Sequence, residues 1–390
     1  MSKSLRKGFG ILSDRDVKNL LVNLGKNDVS SFANTLQMAF QSYSIGKESQ
    51  YQPHRQGVTR PNGQTTLFMP ATLADGVSVK VVGVPAPQRS GSAGLAPPLR
   101  GVLVLCDDEG KCIGILNSEE FTAFRTSLGS ISLYQYRRKT DHIVVFGAGK
   151  QALWHLRLAL VLRSLDIKTV TIINRSAERA IQLINRLREM DGESTVKVAQ
   201  SASLHILDSD SLPQEEFQDR TRAAIQRADA IFCTTPTKKP LFPAEWLMGD
   251  QGRQKTRYIS AIGSYNLDMS ELDPELLRLT SATTFGTHHP TQGGNVKGLP
   301  IVVDSREACA LESGEIVQAQ LPAKNLVEVG ELVDLQTNGS ENAQTSLKTW
   351  LEEGPVIYKS VGVGIMDLAL GQALIGLAKD RGVGTWLEEF

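Results

Sequence analysis

The residues best suited to chemistry by type and spacing lie at Gly147-x-Gly149-x-x-Ala152. The apolar run Ile143 to Phe146 leads into them, and the apolar-periodic stretch Leu153 to Leu165 leads out. This pattern predicts strand, tight turn and helix. Gly147 would allow the sharp turn, Gly149 the close approach of a phosphate, and Ala152 the close packing of helix on strand. Lys150 and Gln151 open the helix, whose N-terminus presents free N–H groups and partial positive charge to a pyrophosphate. Alone, such a glycine pattern also fits an ordinary strand-to-helix turn.

The next strand end carries the discrimination. Lys168-Thr-Val-Thr-Ile-Ile runs into Asn174-Arg175-Ser176, where an NAD site usually places an acid for the ribose 2′-OH. A carboxylate would repel a 2′-phosphate, whereas an arginine fork and a hydroxyl can hold one. The cofactor is therefore read as NADPH (NADP) in preference to NAD; the alternative leaves Arg175 at a strand end or in solvent. Farther on, Phe232-Cys-Thr-Thr-Pro places Thr234 and Thr235 at a strand end, and Ser260-Ala-Ile-Gly-Ser places Ile262 among small residues where a nicotinamide ring would lie. Ordinary turn chemistry also suits the two threonines.

A second group is cationic. Lys80 lies inside Val77 to Val84, with Ser78 and Val82 on its own pleat face, so its ammonium must find an anion or a sheet edge. Arg55 ends Tyr51-Gln-Pro-His-Arg, read as a strand, and Arg125 lies in a small-residue helical stretch that begins at Glu119. Three cations on separate elements of one domain can converge on a carboxylate, although each taken singly is more often solvated or structurally paired.

These groups need elements to position them. Ser13 is a plausible N-cap for a helix with Val17, Leu20, Leu21 and Leu24 on one face, and a second amphipathic helix is expected near Val29 to Tyr43. Strand-like segments follow at Tyr51–Arg55, Thr65–Ala71, Val77–Val84 and Gly101–Cys106, giving a mixed or antiparallel sheet; Pro85 to Leu99 reads as a flexible surface excursion. From 142 to about 304 the order is βαβα. The strands are placed at 142–146, 169–173, 195–199, 228–233, 257–262 and 301–303, and the helices at 151–165, 176–190 and 213–227. This predicts an α/β fold with a doubly wound parallel Rossmann sheet, ligands binding outside the carboxyl ends of its strands. His288-His289 reads as loop, Glu307–Glu315 as helix, 336–346 as a polar stretch, and Pro355 to Leu370 as a strand-turn-helix that returns to the first domain.

At 390 residues the chain has room for two domains. Hydrophobic content of 41% and charged content of 22% are those of an ordinary globular protein, and 42 basic residues balance 42 acidic ones. Neither a nucleic-acid partner nor a membrane partner is indicated. The four cysteines form no C-x-x-C pair and the six histidines no H-x-x-x-H or Cys/His cluster, so no metal site and no disulfide framework is expected. No secretory segment is recognisable, and the expected compartment is the cytoplasm.

Together the motifs resemble the ornithine cyclodeaminase/mu-crystallin family from about residue 11 to residue 378. The resemblance is carried by Met69-Pro-Ala, Lys80, Arg125-Thr-Ser, Gly147-Ala-Gly-Lys-Gln-Ala, Asn174-Arg-Ser, Ser270-Glu-Leu-Asp, Val303-Asp-Ser-Arg-Glu, Glu328-Val-Gly-Glu and Lys359-Ser-Val-Gly with Asp367. It implies a homodimer, with an α+β substrate-binding and dimerisation domain at 1–128 completed by 340–390, beside a Rossmann domain at 129–339. It also implies that Arg55, Lys80 and Arg125 bind the substrate carboxylate, and Lys359 is read as a further substrate-binding residue.

Departures from the family pattern separate its branches. Cyclodeaminases carry an acid where this chain has Tyr265, and another where it has Leu67; they also retain NAD and tend to have an acid at the Asn174-Arg175 position. The resemblance is closer to the ketimine-reductase branch. The expected activity is NADPH-dependent reduction of a cyclic ketimine, of pyrroline- or piperideine-2-carboxylate type, to a cyclic amino acid, with Lys80 catalytic. Three alternatives stand beside it: an ornithine or lysine cyclodeaminase, an opine- or alanine-dehydrogenase-like enzyme, and a non-catalytic NADPH-dependent ligand-binding protein.

Overall fold

The computed structural model describes residues 8–85, 99–285, 290–291 and 298–390. Most of the Pro85–Leu99 excursion, the His288-His289 pair and most of the 285–298 loop lie outside them. Two compact units divide the chain, Met1–Leu24, Gly46–Arg125 and Gly364–Phe390 in one, Gly25–Ile45 and Thr126–Val363 in the other.

The first unit is built on a seven-stranded mixed sheet in the order β15-β1-β6-β5-β4-β3-β2. Its strands are β1 (Phe9–Leu12), β2 (Gln56–Thr59), β3 (Thr65–Leu73), β4 (Gly76–Val84), β5 (Arg100–Cys106), β6 (Cys112–Asn117) and β15 (Thr385–Leu387). The run β2 to β6 is antiparallel throughout, while β1 pairs parallel with β6. Alternation sets the inner face. Gly76, Ser78, Lys80 and Val82 of β4 point inward, whereas Val77 and Val79 are exposed. The helix Gly364–Asp380 packs on β3, β4 and β5. Its residue Gly371 has no room for a Cβ, which would meet Leu103 Cδ2 at 2.7 Å. The expected strand at 51–55 is absent. Glu48–Tyr51 forms a 3-10 turn and the strand starts only at Gln56, because Pro53 has no N–H to give to a ladder. Ser13 caps Asp14–Val22 through a full capping box with Asp16, as its sequence predicts.

The second unit holds an eight-stranded sheet, β13-β12-β14-β11-β10-β7-β8-β9, parallel at every pairing. Its strands are β7 (His142–Phe146), β8 (Thr169–Asn174), β9 (Ser203–Asp208), β10 (Ala230–Cys233), β11 (Tyr258–Ala261), β12 (Ile301–Val303), β13 (Leu326–Glu328) and β14 (Val356–Lys359). The helices Lys150–Arg163, Ala177–Glu193 and Gln214–Arg227 connect the early strands close to their expected positions. Apolar β10, β11 and β12 are buried along their whole length, as strands covered on both faces must be.

Two expectations are corrected here. The strand placed at 195–199 is irregular chain ending in a turn, and β9 takes its place. The buried Asp191 carboxylate accepts the N–H groups of Val198 (2.8 Å) and Ala199 (2.6 Å), which removes both from any ladder. The segment at 356–359 does not return to the first unit but lies between β11 and β12 in the parallel sheet, so that only Gly364–Phe390 returns. The units therefore divide at 125/126 and 363/364 rather than at the expected 128/129 and 339/340, and Gly25–Ile45 joins the second. The polar stretch 336–346 is helical, ending Val329–Asn338 and opening Glu341–Glu353.

Candidate active site

In the first unit Lys80 is 1% exposed and opposes Met69 on β3 and Leu103 on β5. A buried ammonium needs an acceptor. Asp367, in the first turn of the helix Gly364–Asp380, supplies both oxygens at 2.9 and 2.8 Å. The carboxylate also suits the positive end of that helix. Arg125, 4% exposed, brings Nε to 3.1 Å from Asp367 Oδ1 without the angle of a hydrogen bond, and among the described residues its Nη1 meets Met366 Sδ at 3.5 Å. Two buried cations thus share one carboxylate, leaving among the described residues one positive charge in excess and a guanidinium poorly supplied with acceptors. Burial, then the charge of Arg125, lowers the Lys80 pKa to about 8 against the opposing pull of Asp367; Arg55, half-buried just before β2, adds to the lowering. The role of Asp367 could have been suspected from its place in the family pattern, but no spacing links it to Lys80, 287 residues away.

In the second unit the glycine turn has the predicted shape. Gly147 has φ +104°, a left-handed conformation that favours glycine, and a Cβ there would meet Thr234 Oγ1 at 2.9 Å and Thr235 Oγ1 at 3.0 Å. Thr234 and Thr235 thus abut the turn, Thr234 donating to Phe146 O at 2.7 Å. Gly149 is the N-cap of Lys150–Arg163 with no side-chain cap, and nothing lies within 4 Å of where its Cβ would be. Lys150 and Gln151 form the first turn, whose outward N–H groups suit an anion. At the end of β8, Asn174 Nδ2 donates to Ser176 O at 2.9 Å and Ser176 caps Ala177–Glu193, accepting from Arg179 N. The Ser176 hydroxyl hydrogen stays available to an incoming oxygen. Arg175 is exposed. The residues present fit a dinucleotide, with an arginine and a hydroxyl where the ribose would lie.

Sequence reasoning gave no role to the acids that set the far strand ends. Glu271, fully buried, accepts from Thr235 N and Gly263 N, each at 2.6 Å, and so ties the end of β10 to the end of β11. Burial raises its pKa to about 7. Ile262, almost buried, donates its N–H to Cys233 O between them. Lys359 is 0% exposed; its ammonium donates to Ser264 O (2.6 Å) and Ser264 Oγ (2.7 Å) and lies 3.3 Å from Glu315. With its donor directions so occupied it holds the turn after β11. Asp304 likewise gathers Ser360 Oγ and the N–H groups of Val361 and Gly362. Tyr265 is 39% exposed at the tip of the turn that Lys359 holds. Among the described residues no group of three or more His, Cys, Asp or Glu is placed to hold a metal, and no helix is long and apolar enough to cross a membrane.

The chain is 25% identical over 393 residues to Δ1-pyrroline-2-carboxylate reductase of Bacillus cereus, covering 97% of this chain and 99% of that one. It is 24% identical over 269 residues to ketimine reductase mu-crystallin of Rattus norvegicus, 68% of this chain and 66% of the relative. The solved structure of Thermococcus litoralis Δ1-pyrroline-2-carboxylate reductase, in complex with NADH and L-proline, superposes with a TM-score of 0.69 over 96% of this chain and 99% of that chain, at 21% identity, and shares the fold. The sequence pattern of the ornithine cyclodeaminase/mu-crystallin family matches residues 16–212, the stretch that contains Lys80, Arg125, the glycine turn and Asn174-Arg175-Ser176. This chain belongs to the ornithine cyclodeaminase/mu-crystallin family.

Proposed function

We propose that the protein is an NADPH-dependent reductase that converts a cyclic ketimine carboxylate, of the pyrroline- or piperideine-2-carboxylate type, to the corresponding cyclic amino acid. The observation that carries this reading is the excess positive charge of Lys80 and Arg125 over Asp367. A substrate carboxylate supplies the missing charge, and a planar guanidinium fork accepts it in a fixed orientation. Arg125 and Arg55 take that part. Lys80, its pKa lowered to about 8, gives up a proton readily near neutrality and can protonate the imine nitrogen, making the adjacent carbon electrophilic. A bound nicotinamide would supply the hydride that this carbon accepts, and the product would be the ring amine. Gly147, Gly149, Lys150 and Gln151 would hold the pyrophosphate, Asn174, Arg175 and Ser176 the 2′-phosphate, and Thr234, Thr235 and Ile262 the nicotinamide side. The same reading takes the protein to be a cytoplasmic homodimer.

The exposed Arg175, with no acid beside it on β8, supports NADPH over NADH, and Leu67 and Tyr265, where cyclodeaminases are acidic, argue against diamine deamination. Purified protein incubated with Δ1-piperideine-2-carboxylate or Δ1-pyrroline-2-carboxylate is expected to oxidise NADPH faster than NADH. Ammonia release from ornithine with NAD, without net cofactor consumption, would instead establish a cyclodeaminase.

A further inference from the structure

A cavity of about 250 Å³ lies within the second unit at the amino ends of β11 and β14, where Thr256, Arg257 and Pro355 line it. The glycine turn, Thr234, Thr235 and Ile262 all sit at carboxyl ends of the same sheet, so this cavity is separate from the cofactor residues. Its walls are mainly apolar, with Ile259 and Ile357 from the two strands and Leu247, Leu276 and Phe285 from the covering segments. Its polar lining consists of hydroxyls and cations with no carboxylate among them. Thr280, 4% exposed, lines the interior.

The cations differ in what they already hold. Arg257, 5% exposed, donates to the carbonyls of Ile225, Gly252, Lys255 and Gln226, so its positive charge is hydrogen-bonded but faces no carboxylate in contact. Lys255 is paired with Asp229 at 2.7 Å and donates to Arg227 O. Arg253 is exposed on the short 3-10 turn Gly252–Gln254, and its side chain can reach an incoming anion. Asp229 offsets the charge of Lys255 and acts on Arg257 as well, so the positive potential that falls on the apolar hollow comes chiefly from Arg253 and from what Asp229 leaves of Arg257. A neutral apolar ligand would leave that potential unused, and a cation would be repelled.

We propose that this cavity is a second ligand site, for a small amphipathic carboxylate whose apolar body enters between Ile259, Ile357 and Leu276 and whose carboxylate stays at the rim with Arg253. Its size suits one short-chain molecule, below the range of drug-sized pockets. Burial of the chain drives binding, and the rim sets the preference for an anion.

The test uses full-length protein saturated with NADPH and octanoate as the probe, with 1-octanol as its uncharged counterpart, followed by isothermal titration calorimetry. Octanoate is expected to bind once per chain and more tightly than octanol, and Arg253→Glu to weaken octanoate about tenfold while leaving octanol unchanged. Because Arg253 is not among the residues assigned to the cofactor or the imine, NADPH oxidation by Arg253→Glu should match the parent, which also verifies its folding. Lys80→Met serves as the counter-test and should leave octanoate binding intact. Absence of binding at millimolar octanoate, affinity unaltered in Arg253→Glu, or affinity lost in Lys80→Met would each overturn the proposal, the last by moving the probe to the carboxylate site of the first unit.

Discussion

Lys80 is perturbed because burial and the neighbouring guanidinium of Arg125 both disfavour its charged form, while Asp367 only partly restores it. If its proton is the one delivered to the imine, turnover should decline as pH rises through about 8, where the ammonium is lost. Lys80→Met, close in shape, is expected to cut turnover about a hundredfold or more while leaving NADPH affinity unchanged; equal turnover would remove Lys80 from the chemistry. Asp367→Asn makes a different prediction. It strands two buried cations without their shared acceptor, so the unfolding free energy should drop by about 3–5 kcal/mol in urea titration. At the adenosine end, Arg175→Ala should raise the KM for NADPH about tenfold and leave that for NADH nearly unchanged. An equal effect on both cofactors would mean that Arg175 does not read the 2′-phosphate.

The elements of the second unit are held at their carboxyl ends by buried acids, and this is where sequence reading ran out. The glycine turn was legible because Gly147 needs a backbone conformation that other residues resist, and because apolar β7 and a periodic helix flank it. The ties made by Glu271 and Asp304 were not, since each joins segments distant in sequence and a lone acid carries no periodicity. Glu271→Gln tests one such tie. An amide oxygen can accept from only one of the Thr235 and Gly263 N–H groups, and its NH₂ opposes the other. The expected cost is about 1–3 kcal/mol of stability, with a higher KM for NADPH and a smaller change in kcat. Ionisation adds a second reading. His155, buried in Lys150–Arg163 among Ser127 Oγ, Ser130 Oγ and Gln151 O, has its pKa lowered by burial to about 4. Folding therefore favours its neutral form, and the stability it contributes above pH 6.5 is lost as pH falls through 4, by about 3 kcal/mol in all. Glu271, raised to about 7, acts in the opposite sense, its contribution falling as pH rises from 4.5 to 7. Because the two windows overlap, only the difference between parent and His155→Gln isolates the histidine: the acid-side loss should shrink in the variant.

At the scale of the molecule, a mixed sheet carries the cations and a parallel sheet carries the glycine turn. The fold class followed from the βαβα order between residues 142 and 304, but the unit boundaries did not. The short β14 has a strand-turn-helix pattern that suits either unit, and only its pairing with β11 and β12 places it. The helix Lys26–Ser44 likewise gives no local sign of its unit; it packs on Val329–Asn338, almost 300 residues later. The proposed reaction turns on a hydride passing from cofactor to imine carbon. The most direct measurement is therefore the fate of that hydride: NADPH deuterated at the transferable position of C4 is incubated with protein and Δ1-piperideine-2-carboxylate, and the product is examined by mass spectrometry. The account predicts a cyclic amino acid with one deuterium on the carbon that bears the carboxylate. A product without deuterium, or recovery of unreacted imine with NADPH bound to the protein, would contradict it.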